Sequence, residues 1–407
     1  MIFGLPKPGL VAERTPHPKF SVLDLRQLYV EYRGKAGIIR IGQQTSHWGL
    51  GMIANAGAND PEPGDFGQQR FGALVYRAMV AGRPLYELGG VSRAIEVVLA
   101  ADLVVRDSTA ELSKGDRAVQ GVFALRFAKD PQHHAGVYTV YRRQRAERVT
   151  DHARETDVVV FDVEGNWQWA LSDTNVLSLA FELAAINGTT TQGRNDVAQL
   201  FQVRQFGAVV KAGWRLGRAQ ILLDWGYASG DRNPNDDRLE SFRFDRDFKV
   251  GLVLFEDVIG WMSARSAWRA ADPGLLGKAP EGVDLAPTGG AVTAATYVFP
   301  RLKVGAAEWL DIYGGPLFAV STARLTDPFN SRVGGGTAIN YLGGVPGNYL
   351  GTELDLGAQA RWRLSALFGL SAALEVGLLI PGDAFDDATG APMFPVGMVR
   401  ARLALSL

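Results

Sequence analysis

The sequence predicts an all-β protein that folds as one antiparallel transmembrane β-barrel of about sixteen strands. Three observations predict this fold. Apolar and polar residues alternate over stretches of about 10 to 14 residues, short turns alternate with long polar links, and no run of about 18 apolar residues occurs. A membrane-crossing strand needs roughly 9 to 11 residues, so 407 residues are enough for one barrel. We therefore interpret residues 1–407 as a single domain.

The composition agrees with a barrel but conceals its membrane signal. Hydrophobic residues make up 47% of the chain, and the mean hydropathy is only -0.01. The two faces of an alternating strand cancel in such an average. The chain contains no cysteine, which excludes disulfides and thiolate metal sites, and its net charge of -1 argues against a nucleic-acid partner.

Residues 350–363 (LGTELDLGAQARWR) show the alternation clearly. Leu354 and Leu356 fall on one face, and Glu353 and Asp355 fall on the other. This period of two is that of a strand and not of a helix. Soluble β-proteins also alternate, but their strands average about 5 to 6 residues, so the length favours a membrane barrel. The same pattern predicts strands within residues 21–33, 95–103, 159–169, 177–184, 205–216, 221–227, 370–380 and 395–407.

The connections between these segments fall into two classes. Tight turns are predicted at residues 34–37, 130–136, 172–175, 217 and 363–365. Long polar links are predicted at residues 45–70, 107–116, 146–155, 187–196, 229–290, 327–347 and 381–395. Short periplasmic turns that alternate with long extracellular loops are typical of outer-membrane barrels.

Counting strands with this alternation gives about fifteen, whereas bacterial single-chain barrels have an even number. We expect the sixteenth strand upstream of Met1, together with a secretion signal that residues 1–20 lack, or as a weak strand within residues 2–11. The count becomes eighteen if residues 229–290 contribute a hairpin.

Three stretches resemble the alginate-export-type family of outer-membrane barrels, and especially its uncharacterised relatives common in myxobacteria. They are residues 42–52 (GQQTSHWGLGM), residues 224–258, which include DWGYASGDRN and FRFDRDFKVGLVLFEDV, and residues 346–356 (PGNYLGTELDL). The resemblance implies a monomeric barrel that passes a polymer or small solutes through an arginine-lined lumen, partly closed by long loops. It implies no reaction. Gln43 stands where the family usually has a basic residue, which weakens the inference of anion selectivity.

The predicted lumen face carries charges of both signs. Its pore-lining candidates are Arg33, Arg40, Arg77, Arg126, Arg142, Lys211, Arg215, Asp224, Arg301, Lys303, Glu353, Asp355, Arg361, Arg363, Glu375, Arg400 and Arg402. Further acids expected on this face are Glu31, Glu96, Asp102, Asp162, Glu164 and Glu182. These charges either pair across neighbouring strands or form an anion path. Arg361, Arg363, Arg400 and Arg402 favour the path, because their strands lie close enough to form one basic patch.

Residues 229–290 are too long for a simple connection, and we expect an extracellular loop or one that folds inward and constricts the pore. Within them Asp231, Asn233, Asp236 and Asp237 form a weak Ca²⁺ candidate without the bidentate Glu of a calcium loop. No other metal and no cofactor is predicted. Trp48 is expected to anchor at the membrane interface.

The predicted function is an outer-membrane porin or exporter-like channel for small polar or anionic solutes, with acidic polysaccharide among them. The expected partners are outer-membrane lipid and lipopolysaccharide, the barrel-assembly machinery and these solutes. One alternative is a structural or plugged barrel without transport. A hydrolase at the barrel rim is the weaker alternative, because the five histidines accompany no Gly-x-Ser-x-Gly motif. We therefore predict that the protein is not an enzyme.

Overall fold

The computed structural model describes residues 25–35, 37–57, 64–67, 72–146, 154–192, 200–233, 236–277, 282–363, 365 and 368–406. In these residues fifteen long strands form one antiparallel sheet in chain order, and the two-residue strand β11 pairs in parallel with β9. The strands are β1 (Leu28–Gly34), β2 (Gly37–Thr45), β3 (Leu74–Gly82), β4 (Ile95–Arg106), β5 (Asp116–Asp130), β6 (His133–Ala146), β7 (Arg154–Ser172), β8 (Asn175–Thr190), β9 (Phe201–Leu216), β10 (Ala219–Ala228), β11 (Arg238–Leu239), β12 (Ala295–Ala307), β13 (Leu310–Ser321), β14 (Tyr349–Arg363), β15 (Gly369–Pro381) and β16 (Val396–Ser406).

Helical segments occur only between the strands in the described part of the chain. The α-helices are α1 (Gly260–Ala271), α2 (Pro273–Leu276) and α3 (Pro328–Val333), and a π-helical turn (Leu254–Ile259) precedes α1. Short 3₁₀ turns are Tyr86–Leu88, Gly90–Ala94, Leu112–Lys114, Val283–Leu285 and Asp383–Phe385. None of the helices among the described residues is long and apolar enough to cross a membrane.

The period-two pattern of the sequence sets the two faces of the sheet. On β14 the side chains of Leu354 and Leu356 are 44% and 66% exposed, whereas Glu353 and Asp355 on the opposite face are 0% and 1% exposed. The same arrangement holds on β15, where Leu374 and Val376 are exposed and Glu375 is buried. The apolar face therefore points outward, and the charged face points into the interior.

The sheet curls around its polar face into a barrel. The segment that follows β2 contacts both β8 and β16, which are eight strands apart in chain order. The Leu50 N–H donates to Glu182 of β8, and the Phe66 carbonyl accepts from Arg400 of β16. Strand pairing is continuous from β1 to β16. Residues 1–24, which include the weak strand predicted within residues 2–11, lie outside the described residues.

The prediction of about sixteen strands is confirmed, since the sheet of the described residues contains fifteen long strands and the short β11, and residues 229–290 add no hairpin to it. Residues 229–290 contain only β11 as strand, followed by the π-helical turn, α1 and α2. The apolar residues of this segment include Phe242, Phe244 and Phe248. Their side chains are buried inside the barrel and do not belong to a membrane-crossing strand. The 83–94 connection, with two 3₁₀ turns, and the short turn at residues 308–309 were not predicted.

Aromatic rings of the inner face lie over glycines of neighbouring strands. Tyr297 on β12 stands opposite Gly226 on β10, and Tyr313 on β13 stands opposite Gly357 on β14. A Cβ added to either glycine would overlap the tyrosine ring. Such glycines let large rings lie flat on a curved sheet, which fixes both the ring position and the local curvature.

The Gly226→Val substitution should destabilise the barrel by about 1 to 3 kcal/mol, because the added side chain displaces the buried Tyr297 ring. The free energy of unfolding in urea of the refolded protein, followed by tryptophan fluorescence, measures this. Gly121→Val is the matched control, since Gly121 faces outward on β5 with no atom within 4 Å of an added Cβ. Equal losses in the two variants would contradict the steric explanation.

Candidate functional site

Two connections fold into the barrel and fill much of its interior. We call residues 46–73 loop A and residues 229–294 loop B. Loop A contributes Met52 and Phe66 to a buried apolar cluster, and loop B contributes Phe244, Leu252 and Phe255. These pack against inner-wall side chains that include Tyr297, Phe299, Tyr313, Leu317 and Leu379. The interior therefore has an apolar core at this level instead of a continuous water-filled channel.

Loop B is held by the carboxylate of Glu353 on β14. Consecutive backbone N–H groups of Leu252, Val253 and Leu254 donate to its two oxygens at 2.5, 2.8 and 2.7 Å. Gly251 precedes them with φ +67°, and a Cβ there would lie 2.7 Å from a Glu353 oxygen. Successive N–H groups that converge after a left-handed residue form an anion-binding nest. Here the anion is a side chain of the barrel wall.

Loop A repeats this arrangement on the other side of the barrel. The N–H groups of Leu50, Met52 and Ile53 donate to Glu182 of β8 at 2.6, 3.1 and 3.3 Å. Gly49, with φ +54°, precedes them, and a Cβ there would lie 2.7 Å from a Glu182 oxygen. Two wall carboxylates thus satisfy six buried or partly buried backbone donors, and a buried donor without a partner costs free energy.

Trp48 also turns inward, so its prediction as an interfacial anchor is wrong. Its indole N–H donates to Asp162 of β7 at 2.7 Å, and its ring stacks on Tyr138 of β6 at 4.9 Å between centroids. The strand ends at Thr45, so the alternation no longer fixes which way the following side chains point.

The two loops are tied to each other as well as to the wall. The Asp245 N–H donates to the Met52 carbonyl at 2.6 Å, and the Gly72 N–H donates to Asp247 at 2.5 Å. At the far end of loop A, the Phe66 ring lies 5.1 Å from that of Tyr313, and its carbonyl accepts from Arg400 at 2.6 Å. Loops A and B therefore form one plug.

A small polar cavity of about 60 Å³ remains between the plug and the wall. Its charged lining residues are Asp65, Asp224, Asp247, Lys211, Lys249 and Arg301. The Arg301 guanidinium contacts Asp224 at 2.5 Å and Asp65 at 3.3 Å, and the Lys211 amine lies 3.8 Å from Asp224. By volume the cavity has room for only about four waters.

Many of the predicted lumen charges form ion pairs on the inner face. Arg77 contacts Asp102 at 2.7 Å, Arg126 contacts Glu164 at 3.5 Å, and Arg142 contacts Asp107 at 2.5 Å. Near the other end of the sheet, Arg33 and Arg40 both contact Glu31. Glu96 pairs with Arg83 at 2.5 Å.

Three of the four arginines expected to form a basic patch contact one of two carboxylates. Arg400 and Arg402 on β16 contact Glu375 on β15 at 2.7 and 2.9 Å, and Glu375 also accepts from the Tyr313 hydroxyl at 2.8 Å. Arg361 on β14 contacts Asp311 at 2.5 Å. Arg363 is exposed at the end of β14. Asp355 lies buried beside Glu353, and its oxygens accept no hydrogen bond from the described residues.

Besides Arg363, two more of the predicted lumen cations make no ion pair with any described residue. Arg215 on β9 and Lys303 on β12 lie in one row of the inner face, since each stands opposite Gln220 of β10. Neither makes an ion pair with a carboxylate of the described residues. Both therefore leave uncompensated positive charge near the short-turn end of the barrel.

The weak Ca²⁺ candidate forms ordinary turn contacts. The Asp231 and Asp236 carboxylates accept from the N–H groups of Asn233 and Arg238 at 3.1 and 2.9 Å, and the Asp237 carbonyl accepts from Gln202. In the described part of the chain no three His, Asp or Glu side chains converge as metal ligands.

Sequence reasoning placed Glu182 and Glu353 on the lumen face but missed their role as acceptors for the loops. The segments they bind read Gly49-Leu50-Gly51-Met52 and Gly251-Leu252-Val253-Leu254. A glycine followed by apolar residues within a polar link is the signal that could have indicated an inward turn.

Comparisons with known proteins place the chain in a family. The sequence model described as alginate export matches residues 9–248, more than half of the chain. None of the curated proteins compared with the chain matches it. Among solved structures, the chain is similar to the outer membrane protein OprD from Pseudomonas aeruginosa, with 11% identity, coverage of 93% of this chain and 77% of that chain, and a TM-score of 0.47.

Two further structures are similar to the same extent. For OccK11 (OpdR) from Pseudomonas aeruginosa the identity is 11%, the coverage 93% and 79%, and the TM-score 0.48. For OccAB1 from Acinetobacter baumannii these values are 10%, 93% and 76%, and 0.46. The family match, together with a sheet that exposes apolar side chains outward and buries charged ones, leads to one conclusion. The chain belongs to the alginate export family and is a β-barrel of the bacterial outer membrane.

Proposed function

We propose that the protein is a channel for small polar or anionic solutes and that loops A and B close it in the present conformation. The observation that carries the proposal is the row of Arg215 and Lys303, two cations without an ion pair among the described residues, which lie on the same inner face as the cavity residues Lys211 and Arg301. Uncompensated charge on a low-dielectric wall attracts ions of the opposite sign.

The chemistry of these cations suits carboxylate or phosphate groups. Arginine binds such groups through two parallel hydrogen bonds, and lysine binds them as a point charge. The family is described as alginate export, and alginate is an acidic polysaccharide, so a carboxylate-bearing sugar is one solute the path would select. The family match favours transport over catalysis. That the protein is a monomer inserted by the barrel-assembly machinery stays a prediction.

Removing both unpaired cations should lower anion selectivity. In the Arg215→Gln/Lys303→Gln variant, we expect the chloride-to-potassium permeability ratio to fall by about tenfold, because each of the two charges stabilises a nearby anion by roughly 0.7 kcal/mol in water and about 1.4 kcal/mol corresponds to a factor of ten. Reversal potentials of single channels in a salt gradient measure the ratio. The control Arg204→Gln/Arg238→Gln removes the same charge from exposed positions at the long-loop end of the barrel. An unchanged ratio in the lumen variant would exclude this path.

The size of the remaining cavity implies that transport requires the plug to move. About 60 Å³ is smaller than a single sugar unit, and loop B contributes several of the side chains around it. Loop B contacts β15 closely, since a Cβ on Gly377 would lie 3.1 Å from the Leu252 Cβ. A disulfide spans roughly 3.5 to 4.5 Å between Cβ atoms, so a small outward shift of loop B lets these two positions be cross-linked.

The Leu252→Cys/Gly377→Cys variant should lose its conductance when oxidised and regain it after reduction, because the chain has no other cysteine. Single-channel recordings before and after addition of a reducing agent test this on the same protein. Each single-cysteine variant serves as a control and should be insensitive to reduction. Equal currents in the oxidised and reduced protein would mean that loop B does not close the pore.

The docked plug should weaken as the pH rises. Burial raises the pKa of Asp245 in loop B to about 7, against an ordinary value of 3.8. The hydrogen bond from the Asp247 N–H lowers this pKa, the Asp247 and Asp107 charges raise it, and the Arg246 charge lowers it. Between these two values the undocked loop binds fewer protons than the docked loop, so docking loses free energy as the pH rises from about 4 to about 7.

We therefore expect the open fraction of single channels to increase with pH, by at most about tenfold per pH unit, until the pH reaches about 7. Asp245→Asn should flatten this dependence. Asp237→Asn, an exposed acid of the same loop, should leave it unchanged. A steep pH dependence that persists in Asp245→Asn would assign the titration to another group.

The second candidate function is a plugged barrel without transport. The buried apolar cluster that loops A and B form with the wall favours it, because displacing the loops would expose this cluster to water. Ion currents through the wild-type protein or the reduced double-cysteine variant would contradict this candidate.

A further inference from the structure

The outward face of the barrel carries charge in only a few places. In the described residues of β1–β4, β10 and β12–β16, no Lys, Arg, Asp or Glu points outward. The exceptions lie on β5, β6, β7 and β9. They are Arg117, Lys129, Arg143, Arg145, Glu155, Asp157 and Arg204. All but Lys129 lie at the ends of their strands next to the long loops, which is the extracellular side.

Three of these residues, Arg117, Arg143 and Arg145, form a group that we call the outer arginine cluster. Arg117 on β5 stands directly opposite Arg145 on β6. Like charges opposite each other on one face destabilise a sheet. The exposed Arg117 makes no ion pair with any described residue. This pairing therefore calls for an anion that the described residues do not supply.

The acids beside the cluster compensate it only loosely. Arg143 lies 3.7 Å from Asp157, and their side chains are 65% and 37% exposed. Arg145 lies 3.9 Å from Glu155, with 60% and 46% exposed. Exposed pairs at such distances contribute little free energy. The guanidinium groups thus keep donors free for an external ligand.

The cluster lies directly above the apolar belt of the barrel. Val119 stands opposite Arg143 in the next strand, and Tyr141 stands opposite Val159 one row further down. Val119, Tyr141 and Val159 are 52%, 53% and 43% exposed on the outward face. An aromatic residue between charged and apolar rows is typical of the membrane–water interface. The cluster therefore lies at the level of lipid headgroups.

We propose that the outer arginine cluster binds the phosphate groups of a phosphorylated glycolipid headgroup in the outer leaflet. The observations that carry this are the charge of the cluster, its position at the edge of the apolar belt and its composition of arginines only. Planar guanidinium groups bind phosphate oxygens through paired hydrogen bonds. A headgroup phosphate would separate Arg117 from Arg145, while the acyl chains of the same lipid lie along Val119 and Val159.

Native mass spectrometry of the full chain in detergent, with added diphosphorylated lipid A, tests the proposal. We expect Arg117→Gln/Arg143→Gln/Arg145→Gln to bind this lipid about tenfold more weakly than the wild type. Removing the phosphates should have the same effect as removing the arginines. Lipid A without phosphates should therefore bind the wild type about tenfold more weakly than diphosphorylated lipid A does. The Arg117→Lys/Arg143→Lys/Arg145→Lys variant retains the positive charge and serves as the test if the glutamine variant fails to fold. It should bind the lipid with intermediate strength, because lysine lacks the paired hydrogen bonds of arginine.

The matched control Arg265→Gln/Arg324→Gln/Arg332→Gln removes three exposed arginines from extracellular loops away from the apolar belt, and it should bind like the wild type. The proposal would be overturned if the wild type bound lipid A equally well with and without phosphates. It would also be overturned if the glutamine and lysine variants of the cluster bound diphosphorylated lipid A as tightly as the wild type does. Full displacement of the lipid by millimolar inorganic phosphate would show a site for free anions and would also overturn it.

Discussion

The interior of this barrel depends on the capture of backbone N–H groups by wall carboxylates. Loops A and B bring stretches of main chain into a region away from water, where each unpaired N–H group costs roughly 1 to 3 kcal/mol. Glu182 and Glu353 each accept three of these groups. A carboxylate buried in an apolar interior is itself costly unless donors surround it. Each partner therefore makes the burial of the other possible.

The size of the barrel explains why loops occupy its interior. Wall side chains alone can fill a barrel of about eight strands, whereas barrels of about sixteen leave an open lumen. Here fifteen long strands surround the space, and Phe66, Phe244 and Phe255 occupy its middle. The wall around them is not uniformly apolar. Its ion pairs, such as those of Glu375 with Arg400 and Arg402, lie between the aromatic cluster and the short-turn end and hold the polar rows in register.

The strands and the orientation of their faces could be predicted from the sequence, because lipid outside and charge inside impose the same period of two on every strand. Residues 350–363 were predicted as a strand and form β14 with Glu353 and Asp355 inward. The pairing of charges could not be predicted, since it depends on which residues the register brings together. Arg400 meets Glu375 across β15 and β16 only in the observed alignment. The direction of Trp48 was beyond prediction too, because alternation ends where the strand ends.

On the proposed function, movement of the plug would also change the charge that the lumen presents to a solute. While the loops are docked, Glu182 and Glu353 are surrounded by N–H groups and contribute little field to the path. Undocking of loop B would uncover Glu353 beside Asp355, which adds negative charge on β14 close to Arg400 on β16. On that proposal, selectivity for anions in the open state would rest mainly on Arg215 and Lys303, which no loop covers and no acid of the described residues pairs. These two lie on β9 and β12, on the other side of β13 from Glu353, so loop movement and charge selection are assigned to different parts of the wall.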